Sequence, residues 1–209
     1  MVISVFFSSQ MIESTTPDND AAADDIALML AVKTGDERAF QTLVERHQFR
    51  VVGTVAKMLG GESDAEDIAQ QVFIRVWQSA PRYNPSAKFT TWLLTITRNL
   101  VFNEMRRRQR ARLVPLDPVD ADRPPVGHAD SSARSAPEEI ADAELQDAVT
   151  RAIASLPESQ RMAVVLRRFE NMPYEEIAKV LKTTVPSVKS LLFRARTDLR
   201  ERLKGHLGG

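Results

Sequence analysis

The chain has 209 residues, enough for one ordinary domain or two small ones, and its 28 basic and 28 acidic side chains cancel to a net charge of zero. It contains no cysteine, which excludes disulfides and thiolate metal sites, and His47, His128 and His206 lack the spacing of a metal site. No apolar run approaches the roughly 18 residues of a membrane span, and the opening segment is too short for a secretory signal. The sequence therefore predicts a cytoplasmic protein without membrane insertion, metal or other cofactor.

Charge is distributed unevenly along the chain. Residues 70–112 carry nine basic side chains and one acidic one, and residues 148–209 carry twelve basic and six acidic ones. Between them, residues 113–147 carry nine acidic side chains and two basic ones. Two basic modules separated by an acidic connector indicate polyanion binding at two places.

The first 60 residues predict a tail followed by helices. Residues 1–24 end in an acidic stretch of small side chains, which is typical of disorder. From Asp25 onward, apolar residues recur at helical spacing with a break at Gly35. Gly60 is expected to end this helical segment as a C-cap.

The next predicted helix has the sequence SDAEDIAQQVFIRVWQSA, with Ser63 as its cap and an acidic first turn. An apolar stripe is expected to be buried, and four side chains point away from it: Gln70, Gln71, Ile74 and Arg75. An alternative interpretation treats Asp64, Glu66 and Asp67 as a metal or acid–base cluster. It is disfavoured because carboxylates at a helix start usually serve as solvated capping groups.

A turn-rich loop, PRYNPSAKF, leads into a long helix with the sequence TTWLLTITRNLVFNEMRRRQRARL. Its core side runs from Trp92 to Met105. Its other face combines small polar side chains with an arginine run: Thr91, Thr95, Arg98, Asn99, Asn103, Arg106, Arg107, Arg108, Arg110 and Arg112. Such a face, with aromatics beside it, can hydrogen-bond unpaired bases while it neutralises phosphates. The alternative is a solvated basic helix end favoured by the helix dipole.

Residues 113–137 separate this helix from the C-terminal part of the chain. They hold five of the eleven prolines and show no apolar periodicity. The composition predicts an extended, acidic linker. Helical periodicity resumes at Glu138.

Residues 155–203 predict a helix, a short helix, a tight turn and a long basic helix, the order of a helix-turn-helix DNA reader. The short helix is apolar on one side, and the long helix carries an apolar stripe from Val185 to Leu199. Thr184 or Ser187 is expected to cap the long helix, with Pro186 in its first turn. Its outward side chains suit phosphates and base edges: Ser187, Lys189, Ser190, Phe193, Arg194, Thr197 and Arg200.

Three segments in this order resemble the extracytoplasmic-function group of the bacterial sigma-70 family of RNA polymerase sigma factors. They are DAEDIAQQVFIRVW (64–77), FTTWLLTITRNLVFNEMRRRQR (89–110) and the run from Leu156 to Leu203. The resemblance implies an all-α fold of two small helical domains joined by a flexible linker. Sigma region 2 would occupy residues 25–112, the linker residues 113–137, and the helix-turn-helix of region 4 residues 138–209.

The resemblance also implies a function without catalysis. As a sigma factor, the chain would bind core RNA polymerase through the β′ clamp and the β flap, direct promoter-specific initiation and aid DNA melting, under the control of an anti-sigma factor. The implied polymerase contacts are Asp67, Gln70, Gln71, Ile74 and Arg75. The implied contacts to −10-type promoter DNA are Phe89, Trp92, Asn99, Asn103, Arg106, Arg107 and Arg108. The implied contacts to the −35-type element are Ser187, Lys189, Ser190 and Arg194.

Three positions depart from the family's pattern. Gln71 stands where a glutamate is usual, which removes one charge from the polymerase contact. Leu191 stands where an arginine is frequent, so an atypical promoter sequence is expected. Lys182 replaces the usual turn glycine, which is tolerable if that turn is not left-handed.

Two alternatives belong to other functional classes. A free-standing helix-turn-helix regulator, dimeric on duplex DNA, would explain residues 157–203. It leaves the asparagine and arginine helix without a role, and no dimerisation heptad is evident. An enzyme acting on nucleic acid would need a catalytic constellation, and no histidine, cysteine or paired-carboxylate pattern supports one.

Overall fold

The computed structural model describes residues 17–61, 64–113 and 136–204. Within these ranges all regular structure is helical, which confirms the predicted all-α fold. The α-helices are α1 (Pro17–Lys33), α2 (Glu37–Leu59), α3 (Ala65–Ser79), α4 (Phe89–Leu113), α5 (Ala136–Ala154), α6 (Glu158–Arg168), α7 (Tyr174–Leu181) and α8 (Val185–Leu203), with a 3-10 turn at Ala80–Arg82. We refer to α1–α4 as the N-terminal module and to α5–α8 as the C-terminal module.

The first helix begins earlier than the sequence predicted. Residues 17–24 belong to α1 rather than to a disordered tail, and residues 1–16 lie outside the described part of the chain. Proline suits a first helical position because its missing N–H would have no partner there, and Pro17 begins the helix. The alanines that follow at 21–23 have the highest helix propensity of any residue type.

Both ends of α2 are capped by local hydrogen bonds. The carboxylate of Asp36 accepts from the backbone N–H groups of Arg38 at 2.9 Å and Ala39 at 3.1 Å. At the other end, Gly60 adopts φ 78° and donates its N–H to the carbonyl of Ala56 at 2.9 Å, which confirms the predicted C-cap. Leu43, in the first half of the helix between these caps, is fully buried.

Helix α3 buries the predicted apolar stripe, which includes Ala65, Ala69, Val72 and Val76. The predicted cap, Ser63, lies outside the described residues. Asp64 occupies the N-cap position without a side-chain capping bond. Its carboxylate pairs instead with Arg108 of α4, so the start of α3 is joined to the arginine-rich half of α4.

The C-terminal module contains the predicted helix-turn-helix. Helix α7 buries Ile177, Ala178, Val180 and Leu181, and α8 buries Val188, Leu192, Ala195, Leu199 and Leu203. Thr184, rather than Ser187, caps α8, because its hydroxyl accepts from the backbone N–H of Ser187 at 3.4 Å. The buried stripe of α8 leaves its opposite face open to solvent.

The turn between α7 and α8 is left-handed. Lys182 adopts φ 53° and ψ 50° and donates its N–H to the carbonyl of Lys179 at 3.2 Å. The sequence predicted that a lysine would be tolerated here only if the turn were not left-handed, and the structure shows a left-handed turn. A residue with a Cβ pays roughly 1 kcal/mol in this conformation, and the buried faces of the two helices hold it there.

The two modules pack against each other. Helix α7 lies on α4, and α6 lies on α2. Buried side chains of both modules form one continuous cluster, and a Cβ at Gly60 would come within 3.3 Å of the Cβ of Ala154. Helix α5 begins at Ala136, two residues before the predicted start, and residues 114–135 of the predicted linker lie outside the described part of the chain.

Candidate nucleic-acid interface

The first half of α8 exposes the predicted −35-type contacts. Lys189, Ser190 and Arg194 are exposed, and Ser187 is half-buried with its hydroxyl 3.0 Å from that of Thr184. The Ser190 hydroxyl donates to the carbonyl of Pro186 at 3.1 Å, and the Arg194 Nε donates to the carbonyl of Ser190 at 3.4 Å. Arg194 thus keeps its other guanidinium donors directed to solvent, ready for phosphates or for a guanine edge.

Phe193 adds an apolar element to the same face. Its side chain is 69% exposed, the second-highest value among the exposed large hydrophobics of the described residues. An aromatic ring at this position can contact a thymine methyl group in a major groove. Leu191, by contrast, is half-buried against the core. This leucine, which stands where an arginine is frequent in the family, therefore makes a packing contact.

At the start of α4, the structure does not fit the predicted contact between Phe89 and −10-type promoter DNA. Phe89 is 1% exposed, with its ring centroid 5.2 Å from that of His47 and 5.9 Å from that of Trp92. It therefore belongs to the core and cannot reach a base in this structure. Trp92 is half-buried and meets Tyr83 edge to face at 5.0 Å, which fixes the plane of its indole.

The two asparagines of α4 differ in accessibility. Asn103 is exposed, whereas Asn99 is half-buried and accepts a hydrogen bond from Arg98 Nη1 at 2.9 Å. The guanidinium of Arg98 also lies 4.7 Å from the centre of the Phe102 ring. Burial, and then the nearby charge of Arg106, lower the pKa of Arg98. The sequence placed Arg98 on the outward face, but the structure places it against the C-terminal module.

The arginine run of α4 is partly neutralised by one carboxylate. Glu104 accepts from Arg107 at 2.7 and 2.9 Å and from Arg108 at 2.8 Å. The hydrogen bond from Arg107, and then that from Arg108, lower the pKa of Glu104 to about 2. The i,i+3 and i,i+4 spacing of these residues could have revealed the cluster from sequence. Arg106 and Arg110 are exposed, so the end of the helix keeps a cationic surface.

The predicted polymerase contacts share one exposed face of α3. All five are exposed: Asp67, Gln70, Gln71, Ile74 and Arg75. Beside them, α2 and α3 form an apolar groove with a volume of 950 Å³, and Glu37 and Glu66 lie on its edge. Phe49 is 81% exposed in this groove, and the rings of Phe40 and Trp77 meet at 5.0 Å.

Sequence reasoning missed this groove. Phe49 and Trp77 look like ordinary members of amphipathic helices in the sequence, and only their shared exposure shows a contiguous apolar surface. Clustered exposed hydrophobic side chains of this kind mark interaction sites. The described residues contain no group of three or more side chains that could hold a metal ion, Asp64, Glu66 and Asp67 included. No helix within the described ranges is long and apolar enough to cross a membrane.

Comparison with known proteins defines the class. Residues 43–111 match the family model of sigma-70 region 2, and residues 146–199 match that of sigma-70 region 4. The chain is 38% identical over 177 residues to the ECF RNA polymerase sigma factor SigE of Mycolicibacterium smegmatis, covering 83% of this chain and 66% of the relative. It is 32% identical to the RNA polymerase sigma-H factor of Pseudomonas aeruginosa and 31% identical to the sigma-E factor of Escherichia coli, each over 181 residues that cover 86% of this chain and 94% of the relative.

Two solved structures share the fold. A structure of CnrH in complex with the cytosolic domain of CnrY aligns with a TM-score of 0.64 at 24% identity, covering 87% of this chain and 98% of that chain. The sigma factor RpoE in complex with the anti-sigma factor NepR from Bartonella quintana aligns with a TM-score of 0.60 at 22% identity, covering 79% and 96%. The two family models place the protein among the sigma-70 proteins. The curated relatives then narrow the assignment: the chain belongs to the extracytoplasmic-function (ECF) RNA polymerase sigma factors.

Proposed function

We propose that this chain binds core RNA polymerase in the cytoplasm and directs initiation at promoters with −10-type and −35-type elements. One observation carries the proposal: the two modules each expose a helix face of polar and cationic side chains, on α4 and on α8, within the segments matched to sigma regions 2 and 4. Cationic side chains hold phosphates, and polar side chains at the same face read bases. A sigma factor needs both activities in one chain.

Helix α8 reads the −35-type element in this proposal. Its N-terminal half enters the major groove, with Lys189 and Arg194 on phosphates or guanine edges and the hydroxyls of Ser187 and Ser190 on neighbouring groups. Phe193 contributes an apolar contact from the same face. Leu191 contributes none, so we expect an atypical promoter sequence.

Helix α4 captures the opened −10-type element. Trp92 supplies the aromatic surface, Asn99 and Asn103 supply hydrogen bonds, and the arginines from Arg106 to Arg108 hold the backbone. Unstacking a base costs a few kcal/mol, and stacking on an aromatic side chain returns roughly 1–3 kcal/mol per base. Strand separation therefore needs a scaffold that holds both modules on the DNA at once, and core polymerase supplies it.

Polymerase docks on the exposed face of α3. Asp67, Gln70, Gln71, Ile74 and Arg75 contact the β′ clamp in this proposal, and the apolar groove beside them accepts side chains of the partner. The carboxylates of Glu37 and Glu66 favour basic residues opposite the groove's edge. The second polymerase contact, to the β flap, belongs to the C-terminal module.

An anti-sigma factor is the proposed regulator. The RpoE structure was solved with the anti-sigma factor NepR, and the resemblance of this chain to the family implies the same kind of control. The exposed apolar side chains of the α2–α3 groove give such an inhibitor a surface that overlaps the polymerase contact. Competition for that surface would prevent polymerase binding.

Run-off transcription tests the proposal. Purified core polymerase is assayed with and without this protein on a pool of upstream genomic fragments, and new discrete start sites are expected. Arg194→Ala and Asn99→Ala should each reduce these transcripts about 5- to 160-fold, since one good base contact supplies roughly 1–3 kcal/mol. Arg202→Ala is the matched control, because Arg202 is exposed on the same helix two turns from Arg194.

The outcomes separate the proposal from its alternative. Start sites that depend on Arg194 but not on Arg202 identify a promoter-specificity subunit. Unchanged initiation, together with tight binding of duplex DNA by the isolated chain, would instead identify a free-standing helix-turn-helix regulator.

A further inference from the structure

Lys182, in the turn of the helix-turn-helix, occupies a backbone position that usually belongs to glycine. It follows the last residue of α7 and adopts φ 53° and ψ 50°, in the left-handed region. The N–H of Thr183 donates to the carbonyl of Ala178 at 2.9 Å, and the N–H of Lys182 donates to that of Lys179 at 3.2 Å. These two bonds form a Schellman motif, whose left-handed residue is most often glycine because a Cβ is disfavoured there.

The backbone alone does not explain a lysine at this position. Asn171, the other non-glycine residue with positive φ in the described part of the chain, belongs to a residue type that tolerates this conformation through local hydrogen bonds of its short side chain. Lysine is not such a type. The negative end of the α7 dipole favours a cation, but Lys179 in the last turn already supplies one. Residues held in strained conformations concentrate at functional sites, so the side chain of Lys182 is the feature to explain.

The ammonium of Lys182 has no partner within the described residues. The side chain is exposed, and it enters no hydrogen bond, ion pair or ring contact there. From Ile177 to Thr197 the sequence holds five basic side chains and no acidic one. A cationic stretch of this kind, on a solvent-facing motif, attracts an anionic partner.

The turn lies beside the end of α8 that enters DNA. The Cα of Lys182 is at most about 11 Å from that of Val185, the first residue of α8. The major groove of B-form DNA is about 12 Å wide, and an α-helix with its side chains is about 10–12 Å across, so a helix in the groove fills it from wall to wall. Phosphates line both walls, and the helix before the turn crosses the DNA backbone. Lys182 therefore faces a phosphate rather than a base edge.

We propose that Lys182 binds a backbone phosphate of the −35-type element, and that this contact compensates for the strain that the lysine brings to the turn. The ammonium is a compact point charge on a flexible stem, which suits a phosphate without requiring a fixed geometry. The predicted contacts to this element all lie on α8, so Lys182 extends the interface to the turn. The proposal rests on the proposed function for the element that is bound.

The salt dependence of DNA binding tests the phosphate contact. Holoenzyme assembled from core polymerase and the full chain binds the strongest promoter fragment recovered from the run-off assay, and the dissociation constant is measured by fluorescence anisotropy at several salt concentrations. Lys182→Gln removes the ammonium and keeps a Cβ in the strained turn. Because one counterion fewer is released, this variant should bind about 15-fold more weakly at 50 mM salt and about 5-fold more weakly at 150 mM. A loss that does not shrink as salt rises would contradict a phosphate contact.

Lys182→Gly separates the phosphate contact from a structural role. Glycine relieves the strain and also removes the ammonium, so this variant should unfold less readily and yet bind DNA as weakly as Lys182→Gln. Lys182→Arg keeps the charge and should bind within about twofold of the unsubstituted chain, because a guanidinium also pairs with phosphate. A lysine that only shaped the turn would let Lys182→Gly bind at least as tightly as the unsubstituted chain, and that result would overturn the proposal.

Lys204→Gln is the matched control for charge. Lys204, directly after α8, is exposed and pairs with Glu201. The substitution removes one positive charge from the same module, but α8 places it about 28 Å from the turn, well beyond the Debye length of about 8 Å at 0.15 M salt. This variant should bind as tightly as the unsubstituted chain at that salt concentration. Equal losses for Lys204→Gln and Lys182→Gln would reveal an effect of overall charge and refute the assigned contact.

A second fragment, with the −35-type element scrambled, distinguishes a phosphate from a base. Lys182→Gln should weaken binding to both fragments by the same factor, because phosphate contacts carry no sequence information. A loss confined to the intact element would identify a base contact and contradict the proposal. Holoenzyme without any preference for the intact fragment would count against the proposed function instead. The same ratios, measured with the full chain alone on a random-sequence duplex, would then still decide the phosphate contact.

Discussion

The two candidate DNA-binding helices hold their functional side chains in different ways. On α8, Lys189 and Arg194 stand on an open surface, and Arg194 is tied only to its own helix. On α4, Asn99 is held by Arg98, and two of the arginines share Glu104. The outward side chains of α8 are therefore accessible to duplex DNA, whereas those of α4 must first exchange internal partners. That difference suits a protein whose −10-type contacts are needed only after the DNA opens.

The largest expected effects come from substitutions that create a cavity in one module or the other. Together they test whether the two modules unfold separately. Ile177→Ala in α7 and Leu93→Ala in α4 each remove a fully buried side chain and should lower the free energy of unfolding by about 2–5 kcal/mol. Both tryptophans, Trp77 and Trp92, lie in the N-terminal module, so fluorescence follows that module while circular dichroism follows both.

Urea unfolding measured by both probes makes the comparison. Ile177→Ala should shift the fluorescence midpoint less than the circular dichroism midpoint, because the N-terminal module loses only its contacts with α6 and α7. Leu93→Ala should shift the fluorescence midpoint strongly. Equal shifts of both probes in both variants would mean that the modules unfold as one unit.

The second-largest expected effect concerns Glu104 and its two partners on α4, Arg107 and Arg108, which we call the Glu104 cluster. Helix α8 has no counterpart of this cluster. Because the pKa of Glu104 is lowered to about 2, the folded chain favours its ionised form. The resulting stability is fully present above the unfolded pKa near 4.3 and is lost as the pH falls toward 2. Exposure of Arg107 screens the pair, so Glu104→Gln should cost about 1–2 kcal/mol at pH 7.

Urea unfolding as a function of pH checks the sign. The difference in unfolding free energy between the unsubstituted chain and Glu104→Gln should shrink steadily between pH 5 and pH 2. Glu144→Gln is the control, since Glu144 is an exposed carboxylate within α5, away from the start of the helix. A difference for Glu104→Gln that stays constant over this range would show that the cluster contributes packing rather than charge.

The sequence predicts the fold of the C-terminal module better than the surface of the N-terminal one. Apolar spacing alone identifies the buried stripe of α8 from Val188 to Leu199, because one helix face decides it. Phe89 was placed beside a base, yet it is buried, since the neighbours that cover the start of α4 come from distant parts of the chain.

Contacts between the modules could not be predicted at all. Arg161 meets Met58 across 103 residues, and Glu170 meets Thr54 across 116. No periodicity links positions so far apart, and in the sequence Arg161 and Glu170 resemble ordinary surface charges. The Glu104 cluster, by contrast, is local, and its spacing was visible in the sequence.

The smallest expected effect concerns the turn between α7 and α8, where one residue has a strained backbone conformation. Lys182 has φ 53°, so Lys182→Gly should raise the free energy of unfolding by about 1 kcal/mol, reduced somewhat by the greater freedom of glycine in the unfolded chain. Lys179→Gly is the matched control, because Lys179 is exposed within α7 and glycine there should cost about 1 kcal/mol. Opposite signs for the two substitutions, measured by thermal unfolding, would show that the left-handed turn and not the lost lysine charge sets the cost. Two destabilised variants would mean that the Lys182 side chain makes a favourable interaction larger than its backbone strain.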